Sequence, residues 1–399
     1  MTKPEYGFSK RTSWDVGESE LSAAVRRARA EGLPLWDLTV SNPTACGLAY
    51  DAEAVLGPLR QEAALNYDPD PRGMRSARES VSRYYADHGA SVDADAVVLT
   101  TSTSEAYSYL FRLLCDPGDE VLVAQPSYPL FDFLADLDDV RLRPYPLFYD
   151  FGWWIDLAEL ERRIGPRTKA VLLVHPNNPT GHWTHRPERE RLEVICARHG
   201  LALIVDEVFL DYPLAGEPAE ESFAVGPYPV LTFVLSGMSK IAALPQMKVA
   251  WVAAFGPEGL RGEALARLEV IADTFLSMGS PVQLALPSWL EARGAMQQQI
   301  AARTAGNLEL IRALGADADL ELLRVEAGWA AVVLLRGWEW EDPARRLLAE
   351  QGVVVHPGGF YGLGDRRMVV VSLLTPEAVF REGMERIAAG RNLGWRLPT

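Results

Sequence analysis

The spacing of apolar residues changes twice along this chain. Over residues 18–31, Leu21, Val25 and Ala28 recur at helical spacing, which predicts a helix, and Gly32 supplies its stop. A short stretch at 35–40 reads as a strand ended by Ser41-Asn42-Pro43. Continuous apolar, β-rich runs then alternate with helical stretches, at 96–100, 120–124, 170–174, 201–205, 230–235 and 249–254. A strand without a polar face must be covered on both sides, so these runs predict a mostly parallel sheet between layers of helices. From 258 to 314 the pattern is helical, interrupted near Gly279-Ser280-Pro281. Shorter strands follow at 320–325, 329–335, 353–355 and 368–373, with helices between and after them. The expected organisation is an α/β large domain over 46–285 and a smaller α+β domain over 286–399, completed by an N-terminal arm over 1–45.

Composition narrows the partners. Across 399 residues, 54 acidic side chains against 39 basic ones give a net charge of −15, a balance that repels nucleic acid and anionic membranes. The first fourteen positions are largely polar with no apolar signal-peptide core, and no apolar run is long enough to cross a bilayer, so a cytoplasmic protein is expected. Cys46, Cys115 and Cys196 are odd in number and widely spaced, as buried thiols of a reducing compartment would be. The six histidines show no metal-ligand spacing, and the neighbouring His182 and His185 read as residues of a solvated loop. No metal is expected.

In open α/β sheets ligands gather outside the carboxyl ends of strands, so polar residues there carry the candidate chemistry. Lys240, in Ser236-Gly237-Met238-Ser239-Lys240, sits among small and apolar residues that would lower its pKa and favour a neutral amine able to form a Schiff base. Most lysines are simply solvated, and the segment alone favours that reading. Asp206 ends a buried run and is suited to pair with a protonated ring nitrogen, or to cap a turn. Asn178, in His175-Pro176-Asn177-Asn178-Pro179-Thr180-Gly181, offers an amide donor from a rigid turn. Ser102, Thr103 and Ser104 open a helix and suit a phosphate, although Ser and Thr are also ordinary caps. Tyr128 is placed to stack on a planar ring or to pack as a half-buried aromatic.

Taken in order, these residues resemble the fold-type I pyridoxal-phosphate enzymes, and specifically the class I/II aminotransferases, over about 38–386. The resemblance implies an aspartate-aminotransferase-like fold whose mostly parallel sheet has seven strands. It also implies a pyridoxal 5'-phosphate cofactor held by Lys240 as a Schiff base, with Lys240 then acting as the base at the substrate Cα. Asp206 would keep the pyridine nitrogen protonated, Asn178 would donate to the phenolic oxygen, and Tyr128 would stack on the ring. Ser102, Thr103, Ser104 and Ser239 would surround the phosphate, with Lys248 as its cation. Tyr67 matches a family tyrosine that reaches the neighbouring subunit's phosphate, which implies a homodimer with shared active sites.

Several positions depart from the family pattern. Phe209 stands where a tyrosine usually gives the phenolic oxygen a second donor, so the imine should hold its proton to higher pH. Lys248 replaces a frequent arginine and offers no bidentate fork. Gly237 replaces a hydroxyl residue, for which Ser236 or Ser239 is a substitute. Val370 occupies the place of the carboxylate-binding arginine, with Arg366 on the same expected strand face but about 13 Å away. Either another cation, such as Lys10 or Arg11, binds the substrate carboxylate, or the amine lacks one. Ser41 narrows the same region, and Trp14, Trp183 and Trp329 suggest an aromatic-lined pocket or ordinary core. The expected function is amino transfer between an amino acid or related amine and a 2-oxo acid. Lyase, decarboxylase or oxidase chemistry on the same cofactor is an alternative, and a catalytically silent binding protein another.

Overall fold

The computed structural model describes residues 7–214, 216–315, 319–336 and 342–390, so the outermost parts of the expected first and last segments lie outside the described residues. The large sheet has the order Val97–Thr100, Ala250–Phe255, Thr232–Gly237, Ala202–Asp206, Thr168–Val174, Glu120–Gln125, Arg141–Tyr149, Trp153–Ile155. The first seven strands match the number expected, and the short eighth is added at the edge. Only Ala250–Phe255 and Trp153–Ile155 run against the others. Six strands therefore present their carboxyl ends on one edge, and the antiparallel strand brings its beginning, next to Lys248, to that same edge.

Burial on both faces explains why the central strands read as unbroken apolar runs. Val171, Leu203, Val205 and Val234 pack into the core on one face, while Ala170, Leu172, Ile204 and Phe233 pack into the core on the other. Arg141–Tyr149 gave no such run, because Arg141, Arg143, Pro144 and Pro146 interrupt it. Its outer side is laddered from Leu147 to Tyr149, with one further bond from Asp156 N–H to the Pro146 carbonyl at 3.1 Å, so both prolines lie beyond the end of that ladder, where a missing N–H costs little.

A second, antiparallel sheet has the order Leu320–Leu322, Ala330–Leu335, Met368–Ser372, His356–Pro357. Its residues pack with Leu308, Ile311, Phe380 and Met384 in a separate core. The strand Trp36–Asp37 pairs in parallel with Val353–Val354, and Ser372 N–H donates to the Leu38 carbonyl at 2.7 Å. The helices Glu258–Phe275 and Ser280–Gly315 flank the interruption expected near 279–281, and the boundary expected at 285/286 falls inside the second.

Candidate active site

The strand carboxyl ends open into a cavity of about 370 Å³ lined by Ser102, Thr103, Ser104, Tyr128, Asn178, Asp206, Phe209, Ser239, Lys240 and Lys248. Ten of the eleven expected site residues thus converge. Tyr67 does not: it is 78% exposed and borders a separate depression with Ser277 and Gln283.

Lys240 sits in the helical turn Met238–Ile241, directly after the strand Thr232–Gly237. Its Nζ lies 5.0 Å from the Trp329 ring centre and 5.7 Å from that of Phe209. Burial holds its pKa below the ordinary lysine value, with Asp206 and Cys46 pulling the other way. Three side chains fix this turn from distant parts of the chain. Tyr212 donates to the Lys240 carbonyl at 2.5 Å, Gln297 to the Ile241 carbonyl at 3.0 Å, and Tyr50 to the Ala243 carbonyl at 2.7 Å. Ala243 and Lys248, at φ 56° and 54°, occupy the left-handed region that non-glycine residues seldom adopt, so packing on both sides of Pro245–Met247 overrides local preference.

Asp206 is buried at the end of its strand, where Oδ2 accepts from Tyr107 Oη at 2.6 Å and Oδ1 from Val208 N–H at 3.0 Å. Burial nevertheless pushes its pKa up to about 6, against these two bonds and the charge of Lys240. A carboxylate so placed favours a protonated nitrogen in front of it. Tyr107 was not foreseen, yet it lies four residues after Thr103 on one helix, so the two share a face. Tyr50 and Tyr212 left no signal in the sequence, because each acts across a long chain separation.

At the start of the helix Thr103–Leu114, Ser102 Oγ accepts from Glu105 N–H at 3.1 Å. This cap leaves the Ser102 hydroxyl proton available to a ligand, beside the unpaired N–H groups of the first turn. Asn177 and Asn178 divide the work of their turn. Asn177 Oδ1 accepts from Thr180 Oγ1 at 2.8 Å, while Asn178 faces the cavity. Gly181, at φ 69°, allows the turn to close on its neighbour, since a Cβ there would lie 2.4 Å from Val325 Cγ2 and 2.5 Å from the Ala327 carbonyl oxygen.

The departures find structural reasons. At Gly237 a Cβ would stand 2.8 Å from Ala250 Cβ and 2.9 Å from the Val249 carbonyl oxygen, so the sheet leaves no space for a hydroxyl residue. Of the two substitutes considered, Ser239 lines the cavity, whereas Ser236 is buried and turned to the Glu207 carbonyl at 3.4 Å. Val370 lines the cavity at 1% exposure. Arg366 is not on the strand face expected of it, because the strand begins at Met368 and Arg366 lies in the exposed turn before it. Arg367 pairs with Asp365 at 2.7 Å, and Arg11 bonds Asp139 through Nε at 2.7 Å. Among the described residues no arginine lines the cavity, and Lys10 does not line it either. His356 was not foreseen: it pairs across the strands with Val370 and lines the cavity, and burial holds its imidazole pKa below the ordinary value.

Of the three tryptophans only Trp329 lines the cavity, together with Ser41; Trp183 is buried in a cluster with Leu210 and Ala327, and Trp14 packs edge-on against Phe133 at 5.2 Å. The solvated loop expected at His182 and His185 is contradicted. His182 is 2% exposed, because the segment around Glu326 covers it.

The model of class I and II aminotransferases matches residues 52–387. The chain belongs to the class I and II aminotransferase family. It is 30% identical over 385 residues to the arginine–pyruvate transaminase AruH of Pseudomonas aeruginosa, covering 94% of this chain and 93% of that protein. It is 26% identical to the glutamate–pyruvate aminotransferase AlaA of Escherichia coli, over 66% of this chain and 65% of that one. The solved alanine aminotransferase of Pyrococcus furiosus superposes with a TM-score of 0.86 at 20% identity, over 96% of this chain and 99% of that one, and so shows the fold. The aminotransferase moves an amino group to a 2-oxo acid, and enzymes of this family and fold are generally dependent on pyridoxal phosphate. The donor set fits that cofactor: a buried amine, a buried acid that forms no ion pair among the described residues, a helix start rich in hydroxyls, and an aromatic wall at Tyr128. Among the described residues no helix is long and apolar enough to cross a membrane.

Proposed function

We propose that this aminotransferase holds pyridoxal 5'-phosphate on Lys240, accepts pyruvate as its 2-oxo acid, and works as a cytoplasmic homodimer with shared sites. The observation that carries the reading is Lys240, desolvated beside Asp206 at the mouth of the sheet. The cofactor, when bound, supplies an electron sink for the pair left when the substrate Cα loses its proton. A lysine whose ammonium is disfavoured by burial is suited to take up that proton and return it at an adjacent carbon. Asp206, held in orientation by Tyr107 and Val208, presents its carboxylate to the ring nitrogen. The start of the helix at Thr103, with Ser239 and Lys248, forms the phosphate cup, and Asn178 serves the phenolic oxygen.

Pyruvate is supported by the names of AruH and AlaA, which share it as a partner. Tyr67, exposed and away from this cavity, is available to a second copy. For the donor carboxylate, His356 opposite Val370 offers a neutral N–H donor in place of an arginine. Such a site binds a carboxylate more weakly than a bidentate guanidinium and more tightly as pH falls and the imidazole charges.

Mixing the cofactor-loaded protein with amino acid donors tests the reading. Replacement of the lysine-bound absorbance band by that of the amine form, reversed by pyruvate, is the expected result. Release of ammonia or carbon dioxide, or uptake of oxygen, without a pyruvate-reversible amine form would overturn it in favour of lyase, decarboxylase or oxidase chemistry.

A further inference from the structure

A second group of buried titratable side chains lies behind the cavity wall and takes no part in the chemistry above. His182 and His185 follow the turn closed by Gly181, and Glu326 belongs to the segment that leads to Trp329. One ligand atom from each of the three lies within 4.8 Å of the others. His182 and Glu326 are 2% and 5% exposed. Both ring nitrogens of His182 are buried and meet only carboxylate oxygens, at 3.2 and 3.6 Å, without the alignment of a hydrogen bond. An imidazole left so is costly in a protein interior and points to a missing ligand.

The ring orientations say what kind of ligand. His182 Nδ1 lies 3.6 Å from Glu326 Oε2, and His185 Nε2 lies 3.3 Å from Glu326 Oε1. Both rings thus direct one nitrogen at the same carboxylate. Each remaining nitrogen faces a different carboxylate, His182 Nε2 at 3.2 Å from Glu188 Oε2 and His185 Nδ1 at 2.8 Å from Glu220 Oε1. A ligating histidine backed by a carboxylate on its other nitrogen is the usual arrangement around a metal ion. Bonds of about 2.0–2.1 Å to a tetrahedral ion place ligand atoms about 3.4 Å apart; the two imidazoles meet different oxygens of Glu326 and the three ligand atoms spread over up to 4.8 Å, so the site contracts on binding.

Charge points the same way. Glu188, Glu220 and Glu326 are opposed by Arg324, 3.2 Å from Glu326 Oε1, but that guanidinium is shared with Glu217 at 2.8 Å. The same carboxylates raise the pKa of both imidazoles, so a divalent cation bound here takes the place of the protons they hold. The Trp183 backbone N–H also donates to Glu326 Oε2 at 3.1 Å, which fixes the carboxylate without neutralising it.

We propose that His182, His185 and Glu326 bind one divalent transition-metal ion of the zinc type, with water completing the coordination on the half-buried His185 side. Imidazole and carboxylate together suit zinc better than magnesium or calcium. The ion is structural, because none of its three ligands lines the cavity. It joins the turn after Asn178 to the segment before Trp329, where Gly181 and Ala327 are already bonded through Ala327 N–H at 3.0 Å.

The test uses the full-length, cofactor-loaded protein, stripped with chelator, re-equilibrated with zinc and freed of excess. The expected result is about one zinc per chain by elemental mass spectrometry, and a higher Tm with zinc than without. His185→Ala, at a half-buried position, should weaken zinc binding at least tenfold and abolish the zinc-dependent Tm rise, while its cofactor absorbance is retained. Glu220→Gln should weaken zinc binding about 10–100-fold, as for other residues that orient a ligating histidine. Retention of no zinc by the wild type would reduce the cluster to an ion-pair network. Equal zinc in wild type and His185→Ala would place the metal elsewhere, on the cofactor or the surface. Either result overturns the assignment.

Discussion

Asp206→Asn should make the cofactor-free protein more stable while removing its activity. The carboxyl group is pushed from 3.8 to about 6 by burial, which corresponds to about 3 kcal/mol against the ionised form. The sign follows from the direction. A folded-state value above the unfolded one means that stability is lost as pH rises through the interval from about 4 to 6, and stays lost above it. The charge therefore costs about 3 kcal/mol at pH 8 and about 1.5 kcal/mol at pH 5. Asparagine can still accept from Val208 N–H, but it presents an N–H to Tyr107 and leaves the phenolic proton unmatched, a loss of about 1 kcal/mol. The net gain is about 2 kcal/mol at pH 8 and about 0.5 kcal/mol at pH 5. Urea denaturation of cofactor-free wild type and variant, at matched protein concentration and both pH values, measures it. With the cofactor supplied, turnover should fall by about 10²–10³, because no anion then faces the ring nitrogen. A variant no more stable than wild type at pH 8, or a gap independent of pH, would refute the desolvated-carboxylate reasoning.

Three further substitutions probe the departures from the family. Phe209→Tyr introduces a hydroxyl beside Lys240, and a spectroscopic titration of the lysine-bound cofactor should move to lower pH by about one to two units; an unmoved midpoint would show that the new hydroxyl does not reach the phenolic oxygen. Gly237→Ser forces a Cβ against Ala250 and the Val249 carbonyl, and should cost about 1–3 kcal/mol in denaturant titration, whereas an unchanged midpoint would mean the sheet yields there. His356→Phe preserves an aromatic ring for stacking on Phe360 and should raise KM for amino acid donors about tenfold with a smaller change in kcat. Equal KM values would remove His356 from carboxylate recognition.

Much of the fold was legible because burial on both faces removes the polar alternation from a strand, as in Thr168–Val174 and Ala202–Asp206. Arg141–Tyr149 escaped because an edge tolerates the arginines and prolines that a central strand excludes. The site residues at strand ends were found by a topological rule, since polar groups there have little else to do than meet a ligand or a turn. What the rule missed acts at a distance in sequence. Tyr50 and Tyr212 brace the Lys240 turn, and His356 meets Val370 only once the antiparallel pair has formed. The burial of His182 was likewise invisible, because Glu326, which helps cover it, comes from 144 residues further along the chain.

Reductive trapping shows whether Lys240 carries the cofactor. The purified protein is loaded with pyridoxal 5'-phosphate, treated with borohydride, digested and mapped by peptide mass spectrometry. The reduced cofactor adduct is expected on the peptide that contains Lys240, and lost in Lys240→Ala. A stoichiometric adduct on Lys248 or another lysine, or none at all while the wild type is active, would contradict it.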